Sequence, residues 1–182
     1  MLTTLAIFIG SILGLLLISA FFSGSETALT AVSKARIRHL SDEGNKKAEV
    51  VETLIAQQDT LISTLLLGNN LVNILASALT TSLFISIFGD VGVIIATIIM
   101  TSLVVIFAEI LPKVLALKYS DRWALKAALF IKITVKILGP IANLAQKASS
   151  YFVKDNNNSE KLVDAHDELR GQISIHHQEG EV

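Results

Sequence analysis

The chain contains no cysteine among its 182 residues, so neither a disulfide framework nor a thiolate metal site is available to it. Charged residues make up only 17% of the chain, whereas hydrophobic residues make up 52%. Three stretches have no charged side chain at all: residues 1–25, 60–89 and 91–108. About 20 apolar residues in a helix cross a hydrocarbon core of roughly 30 Å. The composition therefore predicts an all-α integral membrane protein rather than a soluble domain.

Three transmembrane helices are predicted, at about residues 3–31, 60–88 and 91–117. No Lys or Arg precedes the first of them, so the basic region that begins a secretory signal is missing, and we expect a mature helix. Basic residues cluster at 34–47 and 113–126 and are absent from the turn between the second and third helices. The positive-inside rule then predicts a multi-pass protein of the cell membrane (inner or plasma membrane), with its N-terminus outside and its C-terminus in the cytoplasm.

A polar segment connects the first two of these helices, and an amphipathic segment follows the third. Residues 34–59 are helix-friendly with a break at 42–45, which predicts a cytoplasmic helical hairpin. Residues 121–138 predict an amphipathic belt helix in the cytoplasmic interface, because their basic side chains fall within an arc of roughly 120° on a helical wheel. Those side chains are Arg122, Lys126, Lys132 and Lys136. The alternative is a fourth span with snorkelling lysines, in which Lys132 would lie near mid-bilayer.

Glu109 is the only carboxylate between Val91 and Lys113, near the end of the third apolar stretch. An ionisable side chain at membrane depth is unfavourable without compensation, and it therefore indicates a functional site. Pro112 follows three residues later and lacks an N–H, so we expect it to leave the carbonyl of Ala108 without its helical partner. Together these groups predict a concentration of oxygen atoms suited to a hard cation.

Polar side chains in the first and second spans predict a shared cavity with Glu109. They are Ser19, Ser23, Asn69, Asn70 and Asn73, with Gly68 beside them. Small hydroxylated residues also hold membrane helices together, and that ordinary role is the alternative for each serine. Three asparagines within five residues are harder to explain in that way, because unpartnered amides are unfavourable in lipid.

The ligands offered by this predicted cavity are all oxygen atoms. The spans contain no histidine or cysteine, which argues against zinc, copper and iron. Magnesium, calcium, manganese and sodium remain, since all four prefer oxygen. A single carboxylate would neutralise a divalent ion only in part, which suits a carrier that must release its cargo.

The segment around Gly24 predicts an irregularity in the first span. Ser23 and Glu26 have the spacing of a capping box, and a glycine weakens a continuous helix. We expect a kink at Gly24, with a second kink at Pro112, and a helix break within a membrane is tolerated where it lines a cavity.

Three segments together resemble the membrane domain of the CorC/CNNM magnesium transporters, known as the DUF21 or CNNM transmembrane domain. They read LISAFFSGSETALTAVSKARIRHL (17–40), LLLGNNLVNILASAL (65–79) and AEILPKVLALKYSDRWA (108–124). The resemblance covers roughly residues 1–150. It implies a homodimer in the lipid bilayer, each subunit having three spans, a cytoplasmic hairpin, a belt helix and an inward-facing acidic cavity that takes dehydrated or partly dehydrated Mg²⁺. The implied activity is Mg²⁺ efflux, coupled to Na⁺ entry.

The resemblance also implies which residues hold the ion. It assigns Ser23 and Glu109 as ligands, with Ser19 close to Ser23. It adds a turn at Gly68–Asn70 to the site and a bend at Pro112 that exposes backbone carbonyls. Members of the family continue into an acidic helical bundle and a pair of CBS domains that bind ATP. Residues 151–182 are polar and acidic like the beginning of that bundle, so we expect this chain to be the membrane part alone, without the CBS domains. We expect ATP to act only through those domains, and we expect no nucleic-acid partner.

Two alternatives belong to other classes of function. An intramembrane enzyme with Ser23 as nucleophile lacks a histidine or lysine base in the spans and a G-x-S-x-G elbow, so we expect no enzyme. A membrane scaffold or regulatory subunit of cation homeostasis, which does not itself transport, is the stronger alternative.

Overall fold

The structure is a computed structural model that describes residues 2–153, with side-chain environments for residues 3–148. The described part is helical throughout, with short turns and no strand, which confirms the all-α prediction. Seven α-helices and one π-helical segment follow in order: α1 (Leu2–Ala31), α2 (Lys34–Asp42), α3 (Lys46–Ala56), α4 (Gln58–Phe88), α5 (Val91–Leu103), the π segment (Val104–Ile110), α6 (Leu111–Lys118) and α7 (Ser120–Val153). The predicted polar linker falls almost entirely on residues 154–182, outside the described residues.

Four helical stretches are long and apolar enough to cross a membrane, within the described part of the chain. They are Thr3–Ala31, Gln58–Phe88, Val91–Lys118 and Ser120–Ala148. A multi-pass membrane protein is therefore confirmed. By length and composition alone α7 qualifies as well as the three predicted spans.

Helix α1 is the centre of the bundle, because it contacts α4, the π segment and α6. One buried cluster joins Ile12 and Leu16 of α1 to Ala76 of α4, Met100 of α5 and Ala108 of the π segment. Helix α4 runs antiparallel to α1, since its later residues pack on the earlier residues of α1. The tight turn at Gly89 (φ +63°) then reverses the chain, so that α5, the π segment and α6 run parallel to α1.

A second buried cluster lies where α1 ends and α4 begins. It contains Leu29 and Val32 of α1, Ile37 of α2, Val51 and Leu54 of α3, Leu61 and Leu65 of α4, and Ala124, Ala127, Ala128 and Ile131 of α7. The α2–α3 hairpin has both of its N-termini capped by side chains. Ser33 accepts from the N–H of Arg36, and Asn45 accepts from the N–H groups of Lys47 and Ala48.

Helix α7 is attached to this same end of the bundle at two widely separated points. Both points belong to one compact unit of the chain, which ends at Asn143. Asp121 pairs with Arg36 at 3.2 Å and accepts from the N–H of Ser33. Further along α7, Asn143 accepts a hydrogen bond from Thr60 at 3.0 Å. The segment between these attachments is about 33 Å long at a helical rise of 1.5 Å per residue.

Candidate cation site

Ser19 and Asn69 meet in the interior, where α1 packs against α4. The Ser19 hydroxyl donates to the Asn69 Oδ1 at 2.7 Å; Ser19 is fully buried and Asn69 is 7% exposed. The structure therefore brings two of the predicted site residues into direct contact. The Asn69 carbonyl oxygen keeps a second lone pair that a cation could use.

Ser23 lies one turn after Ser19 on the same face of α1, and it is fully buried. Its hydroxyl oxygen has no hydrogen-bond partner within the described residues. A buried hydroxyl without a partner is unfavourable by about 1–3 kcal/mol, and such groups in folded proteins call for an explanation such as an absent ion or water. Among the predicted site residues, Ser23 and Asn73 have a buried side-chain oxygen without a partner within the described residues, and of these two only Ser23 is fully buried.

The three asparagines do not share one face of α4. Asn69 faces α1, whereas Asn70 and Asn73 line an open groove between α4 and α5 with a volume of about 570 Å³. Other polar residues along this groove are Ser77, Thr81, Thr97 and Thr101. Asn70 is exposed, and the Oδ1 of Asn73 is buried without a partner among the described residues. The asparagines that were predicted to share one cavity are thus divided between the interior and the groove.

Glu109 lies in the π segment and is half-buried. Its neighbour Ala108 is fully buried in the cluster with Ile12 and Leu16. This part of the chain runs parallel to α1. Glu109 therefore lies beyond the buried cluster on the same side, along the bundle axis, as Ser19 and Ser23. The N–H of Leu111 bonds to the carbonyl of Ile106, five residues back, as π-helical geometry requires.

The π segment was not predicted by the sequence, and Pro112 was its one signal. A proline shortly after a carboxylate indicates a missing helical hydrogen bond. The structure places Pro112 in the first turn of α6, buried, directly after the π segment. Short π-helical segments inside α-helices occur frequently at functional sites, because the widened turn redirects side chains and carbonyls.

The predicted capping box at Ser23 and the predicted turn at Gly68–Asn70 are wrong. Helix α1 continues through Gly24, and Ser23 is inside it rather than at an N-cap, so the capping box does not form. Helix α4 likewise continues through Gly68, Asn69 and Asn70, with no turn there. Both glycines instead make room for an aromatic ring. A Cβ on Gly24 would lie 2.5 Å from the Trp123 ring, and one on Gly68 would lie 3.1 Å from the Phe22 ring.

Trp123 is a determinant of this region that the sequence did not predict. Its indole Nε1 donates to the hydroxyl of Ser25 at 3.1 Å, while its ring packs on Gly24. It thereby fixes α7 to α1 beside Ser23. The only sequence signal was the run of small residues at 23–25, which allows a close approach by a neighbouring helix.

The residues of the candidate site provide hydroxyl, amide and carbonyl oxygens and a single carboxylate as possible ligands for a cation. Within residues 2–153 no three His, Cys, Asp or Glu side chains come together. That donor set fits a hard ion that retains some of its water, since Mg²⁺ commonly binds one or two carboxylates and keeps several waters.

Two curated relatives are similar to this chain. The UPF0053 protein of Haemophilus influenzae is 38% identical over 162 residues, which are 87% of this chain and 39% of that protein. The UPF0053 inner membrane protein YfjD of Escherichia coli is 53% identical over 57 residues, which are 31% of this chain and 13% of that protein. The chain therefore corresponds to well under half the length of the relatives it matches.

The family comparison covers most of the sequence. Residues 10–182 match the family described as the Cyclin M transmembrane N-terminal domain. The match includes the whole bundle after the first turns of α1, together with the three segments in which the resemblance was found. It confirms that resemblance: the chain belongs to the CNNM family of transmembrane domains.

Proposed function

We propose that this chain is the membrane domain of a Mg²⁺ transporter that exports Mg²⁺ in exchange for entering Na⁺. Membership of a family of transmembrane domains, rather than of enzymes, supports a transport role. The single observation that carries the proposal is the fully buried, unpartnered hydroxyl of Ser23. It lies on the helix that contacts both α4 and the π segment with Glu109.

The proposed site is formed by Ser23, Asn69 and Glu109, one residue from each of the three spans. Ser19 orients Asn69 through their 2.7 Å hydrogen bond, so that the amide oxygen is held in place. Each ligand is on a helix, and each lies in or beside a buried cluster, which limits its motion. A site assembled from three helices can also be opened by a small relative movement, as alternating access requires.

The proposed topology has three spans, with residues 120–143 of α7 lying across the cytoplasmic end of the bundle. Its support is the pair of contacts that Asp121 and Asn143 make with Arg36 and Thr60. Both partners lie at the end of the bundle where α1 ends and α4 begins. A helix attached about 33 Å apart to one end of a bundle lies across that end rather than along a neighbouring span. Basic side chains on α7 and in the hairpin support a cytoplasmic location in the inner or plasma membrane, with the N-terminus outside.

The proposed oligomer is a homodimer, and the groove between α4 and α5 is its proposed interface. Polar side chains in a groove open to lipid favour helix association in membranes. We expect Thr97→Leu with Thr101→Leu to convert dimers into monomers, as measured by light scattering of the detergent-solubilised protein. Ser11→Leu, at an exposed position of α1 outside the groove, is the control and should leave the mass unchanged. A double variant that remains dimeric would exclude this interface.

Two serines of α1 provide a matched test of the ion site. Ser23 and Ser25 are both fully buried, but only Ser25 has a partner, the indole of Trp123. We expect Ser23→Ala to raise the Mg²⁺-free melting temperature slightly, because it removes a buried hydroxyl that has no partner, and to weaken Mg²⁺ binding about tenfold, or roughly 1.4 kcal/mol. Ser25→Ala should instead lower the free energy of unfolding by about 1 kcal/mol and leave Mg²⁺ binding intact.

The measurements are melting curves over a Mg²⁺ titration and Mg²⁺ flux in proteoliposomes, with the Na⁺ gradient present or absent. Binding of Mg²⁺ to the native state should raise the melting temperature. If Ser23→Ala bound and transported Mg²⁺ like the wild type, the site assignment would fail. Flux indifferent to the Na⁺ gradient would remove the coupling from the proposal. Well-folded dimers without flux in the wild-type chain would favour a scaffold or regulatory subunit.

A further inference from the structure

Two adjoining hollows lie where α7 crosses α1, on the face of α1 that carries Leu17 and Phe21. The first has a volume of about 430 Å³ and is lined by Tyr119, Arg122, Trp123, Lys126 and Phe21. The second has a volume of about 340 Å³ and is lined mainly by apolar side chains: Leu17, Ile18, Phe21 and Phe130. Phe21 and Lys126 line both, so the two hollows form one continuous surface with a cationic part and an apolar part.

The cationic part has positive charge that the described protein does not neutralise. Arg122 and Lys126 are exposed one helical turn apart, and neither makes an ion pair within residues 2–153. The nearest acid in sequence, Asp121, is already paired with Arg36. Lys118 adds a third cation beside this hollow, its ammonium 5.3 Å from the centre of the Tyr119 ring. A ligand that fits here is an anion able to accept from a guanidinium and an ammonium.

The apolar part indicates that this anion carries hydrocarbon chains. Leu17 is 73% exposed and Phe130 is 52% exposed, so both present apolar surface along the helices. The Phe21 ring is fixed between the two hollows by edge-to-face contact with Phe130, at a centroid distance of 5.0 Å. Tyr119 and Trp123 have the amphipathic rings that concentrate at the headgroup level of a bilayer.

We propose that this surface is a binding site for one anionic phospholipid, whose phosphate contacts Arg122 and Lys126 and whose acyl chain lies along Leu17, Phe21 and Phe130. The site is separate from the proposed ion site. Phe21 points away from Ser19 and Ser23, because residues two apart on a helix lie on nearly opposite faces. The lipid site therefore does not depend on the transport proposal.

The chain supplies its own probe of the site, because Trp123 is its single tryptophan. The full chain is reconstituted into bilayers of phosphatidylcholine in which a fraction of the lipid is brominated phosphatidylglycerol or brominated phosphatidylcholine. Bromine quenches tryptophan emission only at short range, so the quenching of Trp123 measures which lipid occupies the hollow. We expect the anionic lipid to be preferred about tenfold, since each basic side chain near the surface contributes substantially to anionic-lipid binding.

Two double variants of α7 distinguish lipid binding at this site from non-specific attraction of anionic lipids by positive charge. Arg122→Gln with Lys126→Gln should reduce the preference to near unity. Lys132→Gln with Lys136→Gln removes the same charge from exposed positions further along the helix, and it should keep the preference. Equal quenching by the two lipids in the wild type, or equal loss in both double variants, would overturn the proposal. Displacement of the lipid by glycerophosphoglycerol, the headgroup without chains, would also overturn it, in favour of a site for a free phosphate.

Discussion

Replacing Glu109 by Gln is expected to abolish Mg²⁺ transport in proteoliposomes while leaving the protein folded and its oligomeric state unchanged. Glu109 supplies the one carboxylate of the third span, so the substitution removes the negative charge of the proposed site. A charged hydrogen bond or ion contact contributes about 1.5–3 kcal/mol, which corresponds to an affinity loss of roughly tenfold to 150-fold. The amide keeps the shape of the side chain, and the half-buried position can accommodate it without a cavity.

Asp90→Asn is the matched control for this substitution. Asp90 is exposed at the opposite end of the same span and makes no side-chain capping bond. It should transport like the wild type and retain the Mg²⁺-dependent rise in melting temperature, whereas Glu109→Gln should lose both. Equal flux in the two variants would exclude Glu109 as a ligand. Loss of the dimer in Glu109→Gln would support a scaffold, because the carboxylate would then serve assembly rather than transport.

The positions of most helices could be predicted from the sequence, but the end of the predicted belt helix at residue 138 is wrong, because α7 continues through Pro140 to Val153. The uncharged runs predict the membrane helices. The break at 42–45 predicts the hairpin, because Asn45 caps a helix and Gly44 adopts a positive φ of 84°. These signals are local, and each depends on a few neighbouring residues. Their structural outcome therefore follows from the sequence without knowledge of the partner helices.

The arrangement within the candidate site could be predicted only in part. Ser19 and Asn69 were expected to share a cavity and do form a hydrogen bond. The separation of Asn69 from Asn73 was not foreseen. Four residues advance a helix by 400°, which is 40° more than a full turn, and this rotation is enough to move a side chain from the face towards α1 to the face towards α5. Which of these two helices a side chain of α4 faces depends on where α1 and α5 pack against α4, and a single sequence does not show where they pack.

The interpretation of glycines failed for a similar reason. Gly24 was expected to kink its helix, since glycine disfavours a helix by about 1 kcal/mol relative to alanine, and the resemblance implied a turn at Gly68. Both lie in unbroken helices, where their missing Cβ admits Trp123 and Phe22. A glycine that weakens a helix and a glycine that allows close packing look the same in sequence, and only the neighbouring ring distinguishes them.

Gly24→Ala is expected to destabilise the protein by about 1–3 kcal/mol, the usual range for an overpacked site. The new Cβ would lie 2.5 Å from one ring carbon of Trp123 and 3.0 Å from two others. The ring must therefore move, and its hydrogen bond to Ser25 would weaken. Thermal unfolding followed by circular dichroism measures the effect. Gly14→Ala in the same helix is the control, because nothing lies within 4 Å of its Cβ, and it should leave stability unchanged or raise it slightly.

A double-mutant cycle with Trp123→Ala shows whether the collision with the ring is the cause. Trp123→Ala removes the ring and is itself destabilising, since it leaves a cavity and an unpaired Ser25 hydroxyl. Once the ring is gone, Gly24→Ala should add almost no further destabilisation, so the two changes should be non-additive by at least about 1 kcal/mol. Strict additivity, or a Gly24→Ala variant as stable as Gly14→Ala, would contradict the packing of α7 on α1. Because Ser23 directly precedes Gly24 and Ser25 in α1, a displaced α7 should also weaken the Mg²⁺-dependent rise in melting temperature.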